Sequence, residues 1–384
     1  MAAVHREVER AYPAAPDADL PALVDLVPDG GTPLTESVTT DVLTATYVDT
    51  ADLRLTAAGL TLRDRSGGRD AGWHLKVPAA GRGARTEVRH PPGGPGHVVP
   101  EPLQALVRAV TTGEPLHPVA EVVTRRRAVR LVDATGRVLL ELADDHVTAR
   151  RLRPAEGGGS AASAPVTWRE VEIELVDGDE DLLDVVEDGL RAAGLGPARS
   201  GTKVGRVLPA PDAPARATPD RRSSAGEVLA AYLAAQVHRL VEQDLAVRLD
   251  APDAVHQMRV AARRLRTALR TFRPLLDREV TDPLRDELRL LGRVLGTARD
   301  AQVLRDRVAD LDEAPVADLD ARHRTAQEAV LRALGSTRYL TLVRGLTALA
   351  ADPPLRDRPR TRRRATRVLP ALVARRDRKV RRAL

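Results

Sequence analysis

The sequence predicts an α+β chain in which a β-rich half, residues 1–208, precedes an all-α half, residues 224–384. Three observations carry this. The first half alternates polar and apolar residues with period two, the pattern of a strand with one buried face. The second half repeats apolar residues at three- and four-residue spacings, the pattern of an amphipathic helix. Between them Pro209–Ser223 holds four prolines and no periodicity, which reads as a linker.

Charge divides at the same place. Residues 211–384 hold 36 Lys+Arg against 23 Asp+Glu, whereas residues 1–210 hold 24 against 31. A basic domain suits a polyanion, and an acidic domain with embedded Arg and Lys suits metal plus phosphate. The absence of Cys excludes disulfides, thiolate metal sites and Cys nucleophiles together. Aromatic residues make up 2% of the chain, so the cores must rest on Leu, Val and Ala. Met1–Tyr12 lacks the apolar segment of a signal peptide, and no run of about 18 apolar residues occurs. The expectation is a cytoplasmic protein without a membrane span.

Within the first half, strands are expected at His5–Tyr12, Thr44–Asp49, Thr61–Arg65, Trp73–Val77, Ala84–Arg89, Ala128–Asp133, Val138–Ala143 and Trp168–Leu175. Turn signals such as Ser66-Gly67-Gly68 and Asp133-Ala134-Thr135-Gly136 separate them. Helices are expected near Pro102–Val110 and over Glu180–Ala193, which Gly194 ends. Pro154–Pro165, rich in Gly, Ser and Ala, reads as a loop. In the second half, helices are expected at Ala225–Leu249, Pro252–Phe272, Thr281–Leu311, Ala317–Leu334, Arg338–Ala351 and Thr361–Leu384. Leu369–Leu384 echoes Tyr232–Leu245 in its Leu/Ala/Arg spacing, which points to an internal repeat.

The strands carry charge on one face. Alternation puts Glu7 and Glu9 together opposite Val8, and puts Glu170, Glu172 and Glu174 together on the last strand. Arg63 and Arg65 share a face, as do Arg85, Glu87 and Arg89. Lys76 follows His74, and Arg125 and Arg127 alternate on a further strand. Two architectures fit: an ordinary sheet with a wet outer face, or a barrel whose charged face points inward. In the barrel, carboxylates would hold Mg²⁺ or Mn²⁺ through oxygen, and Arg forks would clamp phosphate.

Residues 4–208 resemble the CYTH family, the triphosphate tunnel metalloenzymes. The resemblance rests on Glu7-x-Glu9, Tyr47-x-Asp49-Thr50-x-Asp52-Leu53-Arg54-Leu55, Leu60-Thr61-Leu62-Arg63-Asp64-Arg65 and His74-Leu75-Lys76. It continues through Arg85-Thr86-Glu87-Val88-Arg89, the Arg125–Arg127 cluster, Asp145, Glu170–Glu174 and Lys203, all in family order. It implies an eight-stranded antiparallel β-barrel tunnel with flanking helices that binds a triphosphate with divalent metal. By the resemblance, Glu7, Glu9, Glu172 and Glu174 bind metal or position the attacking water, with Glu170 and Asp145 as further ligands. Arg63, Arg65, Lys76, Arg85, Arg125, Arg127 and Lys203 bind phosphate, and Glu7, Glu9 and Lys76 form the catalytic set. The implied activity is metal-assisted hydrolysis of tripolyphosphate. The family's signature Lys is Ala11 here, with Arg10 beside it pointing away from the tunnel. A binding-only role is therefore the alternative. No G-x-x-x-x-G-K-[ST] or H-E-x-x-H occurs, so neither a P-loop enzyme nor a zinc protease is supported.

In the second half, Met258, Ala262, Leu265, Leu269 and Phe272 form an apolar stripe. His256, Arg259, Arg263, Arg266 and Arg270 form a basic one, with no acidic residue between Asp253 and Phe272. Arg289, Arg293 and Arg299 continue the basic theme on the next helix. Val255-His256-x-Met258-Arg259-Val260-x-x-Arg263-Arg264-Leu265-Arg266 and Leu295-Gly296-x-x-Arg299-Asp300-x-x-Val303-Leu304 resemble the CHAD family. That resemblance implies a helical bundle of two similar halves that binds inorganic polyphosphate along a basic surface. His256, Arg259, Arg263, Arg266, Arg270, Arg293 and Arg299 are the expected binding residues, and association with polyphosphate granules is the expected setting. No second H-x-x-R helix follows, so the expectation is an incomplete domain. Few aromatics disfavour single-stranded nucleic acid, whose binders stack bases on them.

Overall fold

A computed structural model describes residues 3–28, 33–79, 81–94, 96–154, 160–197, 201–209, 218–308, 316–356 and 359–382. The chain divides into two compact units: Met1–Gln104 with Glu114–Asp212, and Ala105–Gly113 with Ala213–Leu384. Ala105–Gly113 thus groups with the helices, although its place in the sequence is inside the first half. Of the expected linker, residues 210–217 lie outside the described residues.

The first unit is built from β1 (Ala3–Ala14), β2 (Thr35–Asp49), β3 (Thr61–Ser66), β4 (Gly72–Pro78), β5 (Ala84–His90), β6 (His117–Val132), β7 (Val138–Pro154), β8 (Ser160–Ala162) and β9 (Val166–Leu175). The order is β6-β2-β3-β4-β5-β1-β9-β7-β8, and β6 also pairs with β7. That last pairing closes eight antiparallel strands into a barrel, while β8 extends β7 alone. Short α1 (Arg54–Ala57), α2 (Glu101–Thr111) and α3 (Glu180–Ala192) interrupt the strands.

The barrel is polar inside. Val8, Val129, Leu131, Leu140, Leu142, Val171 and Ile173 turn outward and pack with Leu183, Val186 and Leu190 of α3. Each of those aliphatics alternates with a charged or small residue that faces in. One end of the interior is apolar: Ala45, Tyr47, Val122, Val147 and Ala149 meet Val204 and Leu208, which flank and include the 3₁₀ turn Lys203–Arg206.

Three strands are longer than the alternation predicts. β2, β6 and β7 run 15, 16 and 17 residues. The reason is visible at Val38 and Val42, which are exposed, so this part of β2 has no buried face to produce a period-two apolar signal. Inter-strand pairing with β6 holds it instead. Within the expected loop Pro154–Pro165, β8 pairs with the end of β7, and residues 155–159 lie outside the described residues.

The Tyr47–Leu55 motif is structural. Asp49 is buried, and its carboxylate accepts hydrogen bonds from Thr50 N, Leu55 N, Thr56 N and Thr56 Oγ1 at 2.7–2.9 Å. It thereby caps α1 and drives Leu55 into the core.

The second unit continues with α4 (Ala225–Arg248), α5 (Ala254–Thr271), α6 (Arg278–Val308), α7 (Val316–Gly335), α8 (Thr337–Ala351), α9 (Pro359–Arg362) and α10 (Ala365–Arg381). Ser224 and Glu227 form a capping box at the start of α4. α5 starts two residues later than expected. Asp250 and Asp253 take left-handed backbone, φ 52° and 60°, which leaves Pro252 in the turn rather than at the first helical position. Met258, Ala262, Leu265 and Leu269 enter the core as their spacing predicts. The final helix is broken at Arg363-Arg364 into α9 and α10.

Candidate functional site

A cavity of about 760 Å³ occupies the barrel, lined from all of its eight strands. Its walls separate carboxylates from cations unevenly. On β1 and β9, Glu9 pairs in register with Glu174 and Ala11 with Glu172. On β3, β4 and β5, the last of which pairs with β1, Arg63, Arg65, Lys76, Arg85 and Arg89 point in.

The two groups meet at Lys76. Its Nζ lies 2.7 Å from Glu7 Oε2 and 3.1 Å from Glu9 Oε2. Arg85 Nε is 3.5 Å from Glu9, and Arg89 Nη2 is 3.5 Å from Glu7 while Arg89 Nε bonds Glu87. Burial lifts Glu7 above the usual carboxylate range, against the opposing charge of Lys76. Glu174 has no ion-pair partner among the described residues. Burial pushes it up to about 7, and the negative charges of Glu7, Glu9 and Glu141 add to this despite Lys76.

A second acidic group lies on β7 and β9. Oxygens of Asp145, Glu170 and Glu172 fall within 4.8 Å of one another. Lys203 Nζ sits among them, 3.0 Å from Asp145, 2.8 Å from Glu170, and bonded to Glu172. Arg126 forks onto Asp145 at 2.8 and 2.7 Å and reaches Glu172 at 2.8 Å. Burial opposes ionisation of Glu172, but Lys203 and Arg126 win and hold it well below its ordinary value.

All these donors are hard carboxylate oxygens, the set that suits Mg²⁺ or Mn²⁺. The two groups fit a divalent ion unequally. Beside Glu7 and Glu9, which Lys76, Arg85 and Arg89 meet, Glu174 offers a buried carboxyl that no cation of the protein pairs with among the described residues. Around Asp145, Glu170 and Glu172 the protein's own Lys203 and Arg126 already supply the positive charge.

On the cationic side, Arg63 Nη1 bonds Tyr47 Oη at 3.3 Å. The Nε groups of Arg63 and Arg65 are buried and meet no acceptor. His74 is buried behind them, its Nδ1 2.8 Å from Glu87 and its Nε2 2.8 Å from the Asp70 carbonyl.

Of the residues expected from sequence, Glu7, Glu9, Arg63, Arg65, Lys76, Arg85, Glu170, Glu172, Glu174 and Lys203 line this cavity. Asp145 is fully buried behind Lys203 and Arg126. Arg125 and Arg127 do not belong there. Both are exposed on the outer face of β6, and Arg126 between them points in. A one-residue shift of phase exchanges the two faces of a strand, and a run of three arginines gives no phase of its own. Sequence reasoning also missed Arg130 and Glu141, bonded at 2.7 Å inside the barrel, and Arg206. The phase of Arg126 would have found Arg130. As expected, Arg10 points away from the cavity, to Asp184 and Glu187 of α3.

Glycine fixes one catalytic candidate in place. Gly83 has φ +73°, and a Cβ there would sit 2.2 Å from the Glu9 carbonyl oxygen. The Glu9 N–H donates to Gly83 O at 3.2 Å. Gly83→Ala is expected to destabilise the barrel by more than about 1 kcal/mol, because both backbone strain and the clash with β1 must be relieved. Urea unfolding checks this; an unchanged midpoint would mean β1 and β5 separate without cost.

Glu174 gives a pH signature. Its folded value, about 7, lies above its unfolded value, 4.5. The folded state therefore holds the extra proton between these limits, and stability falls as pH rises through the window, at most about 1.4 kcal/mol per unit. Glu174→Gln should remove that part of the decline. Melting in EDTA from pH 5 to 8 should show the variant gaining on the wild type; parallel curves would mean Glu174 is not strained.

In the helical unit, α5 and α6 present the basic stripe. Arg263, Arg270, Arg289 and Arg293 are exposed, His256, Arg259 and Arg266 half-buried, and none has an ion-pair partner among the described residues. Arg259 lies across Gly296 of α6, its Nε 3.7 Å from where a Cβ would be. Arg299 differs: it meets Asp253 at 3.5 Å and Gln302 at 3.0 Å. Some other arginines of the unit are paired, as in Arg248–Asp244, Arg285–Asp282 and Arg338–Glu287. No helix among the described residues is long and apolar enough to cross a membrane.

Comparison with known proteins matches two domain families along the chain. A model described as CYTH domain matches residues 5–199, and one described as CHAD domain matches residues 231–384. Uncharacterized protein Rv2226 of Mycobacterium tuberculosis (strain ATCC 25618 / H37Rv) is 37% identical over 367 residues, covering 91% of this chain and 70% of that protein. Uncharacterized protein MT2285 of strain CDC 1551 / Oshkosh matches to the same extent, 37% over 367 residues. Among solved structures, a putative adenylate cyclase from Bacillus halodurans is 15% identical over 53% of this chain and 97% of its own, with a TM-score of 0.33. PptA from Streptomyces chartreusis is 25% identical over 36% of this chain and 54% of its own, with a TM-score of 0.31. The chain belongs to the CYTH family, its CYTH domain followed by a CHAD domain.

Proposed function

We propose that the barrel binds and hydrolyses inorganic tripolyphosphate with Mg²⁺ or Mn²⁺, and that the helical domain binds inorganic polyphosphate along α5 and α6. One observation carries the reading of the barrel. Arg63 and Arg65 hold buried Nε–H donors that meet no acceptor, in a cavity whose opposite wall is carboxylate. A buried donor without a partner costs about 1–3 kcal/mol, more when it is charged, and an entering phosphate oxygen removes that cost.

In this reading Arg63, Arg65 and Arg85 grip the phosphate chain, and Lys76 bridges from the carboxylate wall to the reacting phosphate. Glu7, Glu9 and Glu174 would hold the divalent ion, which when bound neutralises phosphate charge and polarises the attacking water. The protein's share is to hold the chain in line and to exclude bulk water. Lys203 and Arg126 hold Asp145, Glu170 and Glu172 through ion pairs and keep Glu172 ionised, so that wall of the cavity stays ordered. The unpaired arginines of α5 and α6 support the helical part of the proposal, since like charges at i,i+4 repel unless an anion meets them.

A binding-only role is the second reading, and Ala11 favours it. Ala11 lines the cavity beside Glu172 and brings no charge where the family has Lys. Phosphate release from tripolyphosphate, with Mg²⁺, with Mn²⁺ and with EDTA, decides between the two. Metal-dependent release that is lost in Glu7→Gln/Glu9→Gln supports hydrolysis. Binding by calorimetry without release above that variant supports the second reading and rejects the first.

A further inference from the structure

Arg65 is crowded by cations. It is 7% exposed, and burial together with the charges of Arg63 and Arg126 pushes its guanidinium down from its ordinary value. The carboxylate paired with it is not part of either acidic group of the barrel. It is Asp70, which reaches in from the turn between β3 and β4.

That turn is fixed by its backbone. Gly67, Gly68 and Gly72 all have positive φ. A Cβ on Gly67 would fall 2.1 Å from Val42 O, and one on Gly72 2.6 Å from His90 O, so the turn lies directly against β2 and the end of β5. His74 Nε2 holds the Asp70 carbonyl at 2.8 Å. The Asp70 side chain, by contrast, is 35% exposed and has Arg65 as its ion-pair partner. It is free to swing out while the turn stays. Arg69, next to it, lines the same cavity, is exposed, and has no ion-pair partner among the described residues.

We infer that Asp70 is an internal anion occupying a phosphate subsite on Arg65, which the terminal phosphate of the substrate chain takes over by displacing it. The inference rests on the triphosphate reading of the barrel and names a residue that sets affinity for the chain end. A terminal phosphate carries a charge near −2 and three acceptor oxygens. It can satisfy the Arg65 Nε–H that the Asp70 carboxylate leaves without an acceptor, so exchange is favourable although one ion pair is broken. The displaced carboxylate turns to solvent, and Arg69 beside it lies at the cavity mouth to meet the same phosphate. In the free protein Asp70 keeps Arg65 from being a buried, unpaired cation.

Calorimetry of inorganic tripolyphosphate in EDTA, where no turnover occurs, tests this on the full chain. Asp70→Asn keeps the backbone and the side-chain shape but removes the competing charge. It is expected to tighten binding by roughly tenfold, the size of one charge-assisted hydrogen-bonded pair. Asp70→Ala should act in the same direction. In an Arg65→Gln background the Asn substitution should give no gain, which a purely structural role of Asp70 would not produce. A wild type that binds tripolyphosphate while Asp70→Asn binds no better, or gains equally without Arg65, overturns the inference alone. Failure of both wild type and Asp70→Asn to bind, in EDTA and again with Mg²⁺ present, overturns the triphosphate reading and this inference with it.

Discussion

Lys76→Met is expected to lower tripolyphosphate turnover by roughly 10²–10³-fold, the loss typical of one charge-stabilising donor at a reacting centre. Lys76 is the ammonium that contacts both Glu7 and Glu9, at 2.7 and 3.1 Å. Position 11, where the family places a second lysine, is Ala here and lines the same cavity. Lys203, the other lysine of the cavity, is committed to Asp145, Glu170 and Glu172. Methionine keeps the length and the packing of the aliphatic stem, so the barrel should remain folded. The charge change has a second consequence with the opposite sign. Removing the ammonium takes away the cation closest to Glu7 and Glu9, so affinity for Mn²⁺ should rise while turnover falls. Phosphate release and Mn²⁺ calorimetry read the two effects separately. Turnover within twofold of wild type would remove Lys76 from the reaction, and weaker Mn²⁺ binding would mean the variant has disturbed the site as a whole.

Much of this site is legible in the sequence because a strand writes its faces in alternation. Glu7-Val8-Glu9, Arg63-Asp64-Arg65 and Glu170 to Glu174 each place like charges two positions apart, and the structure turns the charged set inward. The alternation does not say which face is inside, since a solvated outer face has the same pattern; only the closure of β6 on β7 decides it. Where alternation fails, so does the reading. Arg125-Arg126-Arg127 has no internal phase, and its inward member is known only from its pairing with Asp145 on β7. The first part of β2 has exposed valines and no buried face, so nothing in its composition announces a strand. Asp70 could not be reached at all from the sequence. It sits in a glycine-rich turn, and its approach to Arg65 depends on where backbone contacts with Val42 and His90 place that turn. The Tyr47–Leu55 motif errs in the other direction: it stands out in the sequence, yet Asp49 commits its carboxylate to the backbone of α1.

Reversing the charge of Arg263 and Arg270 together is expected to weaken polyphosphate binding by the helical domain by about 100-fold or more. A single charge-assisted contact contributes about 1.5–3 kcal/mol, and two are removed. Both side chains are exposed on α5, so Arg263→Glu/Arg270→Glu leaves Met258, Ala262, Leu265 and Leu269 packed as they are. The same substitution relieves repulsion at Arg259–Arg263 and Arg266–Arg270, each an i,i+4 pair worth a few tenths of a kcal/mol. Thermal stability should therefore be kept or slightly raised as binding is lost, whereas replacing a structural residue would lower both. The dependence of binding on salt should also become shallower, because fewer counterions are released when fewer cations meet the polyanion. Arg338→Glu serves as the control: Arg338 is already paired with Glu287 at 2.6 Å, so its reversal should cost some stability and little binding. Equal loss of polyphosphate affinity in the two variants would show that net charge alone, and not the stripe on α5, draws the polyanion to this domain.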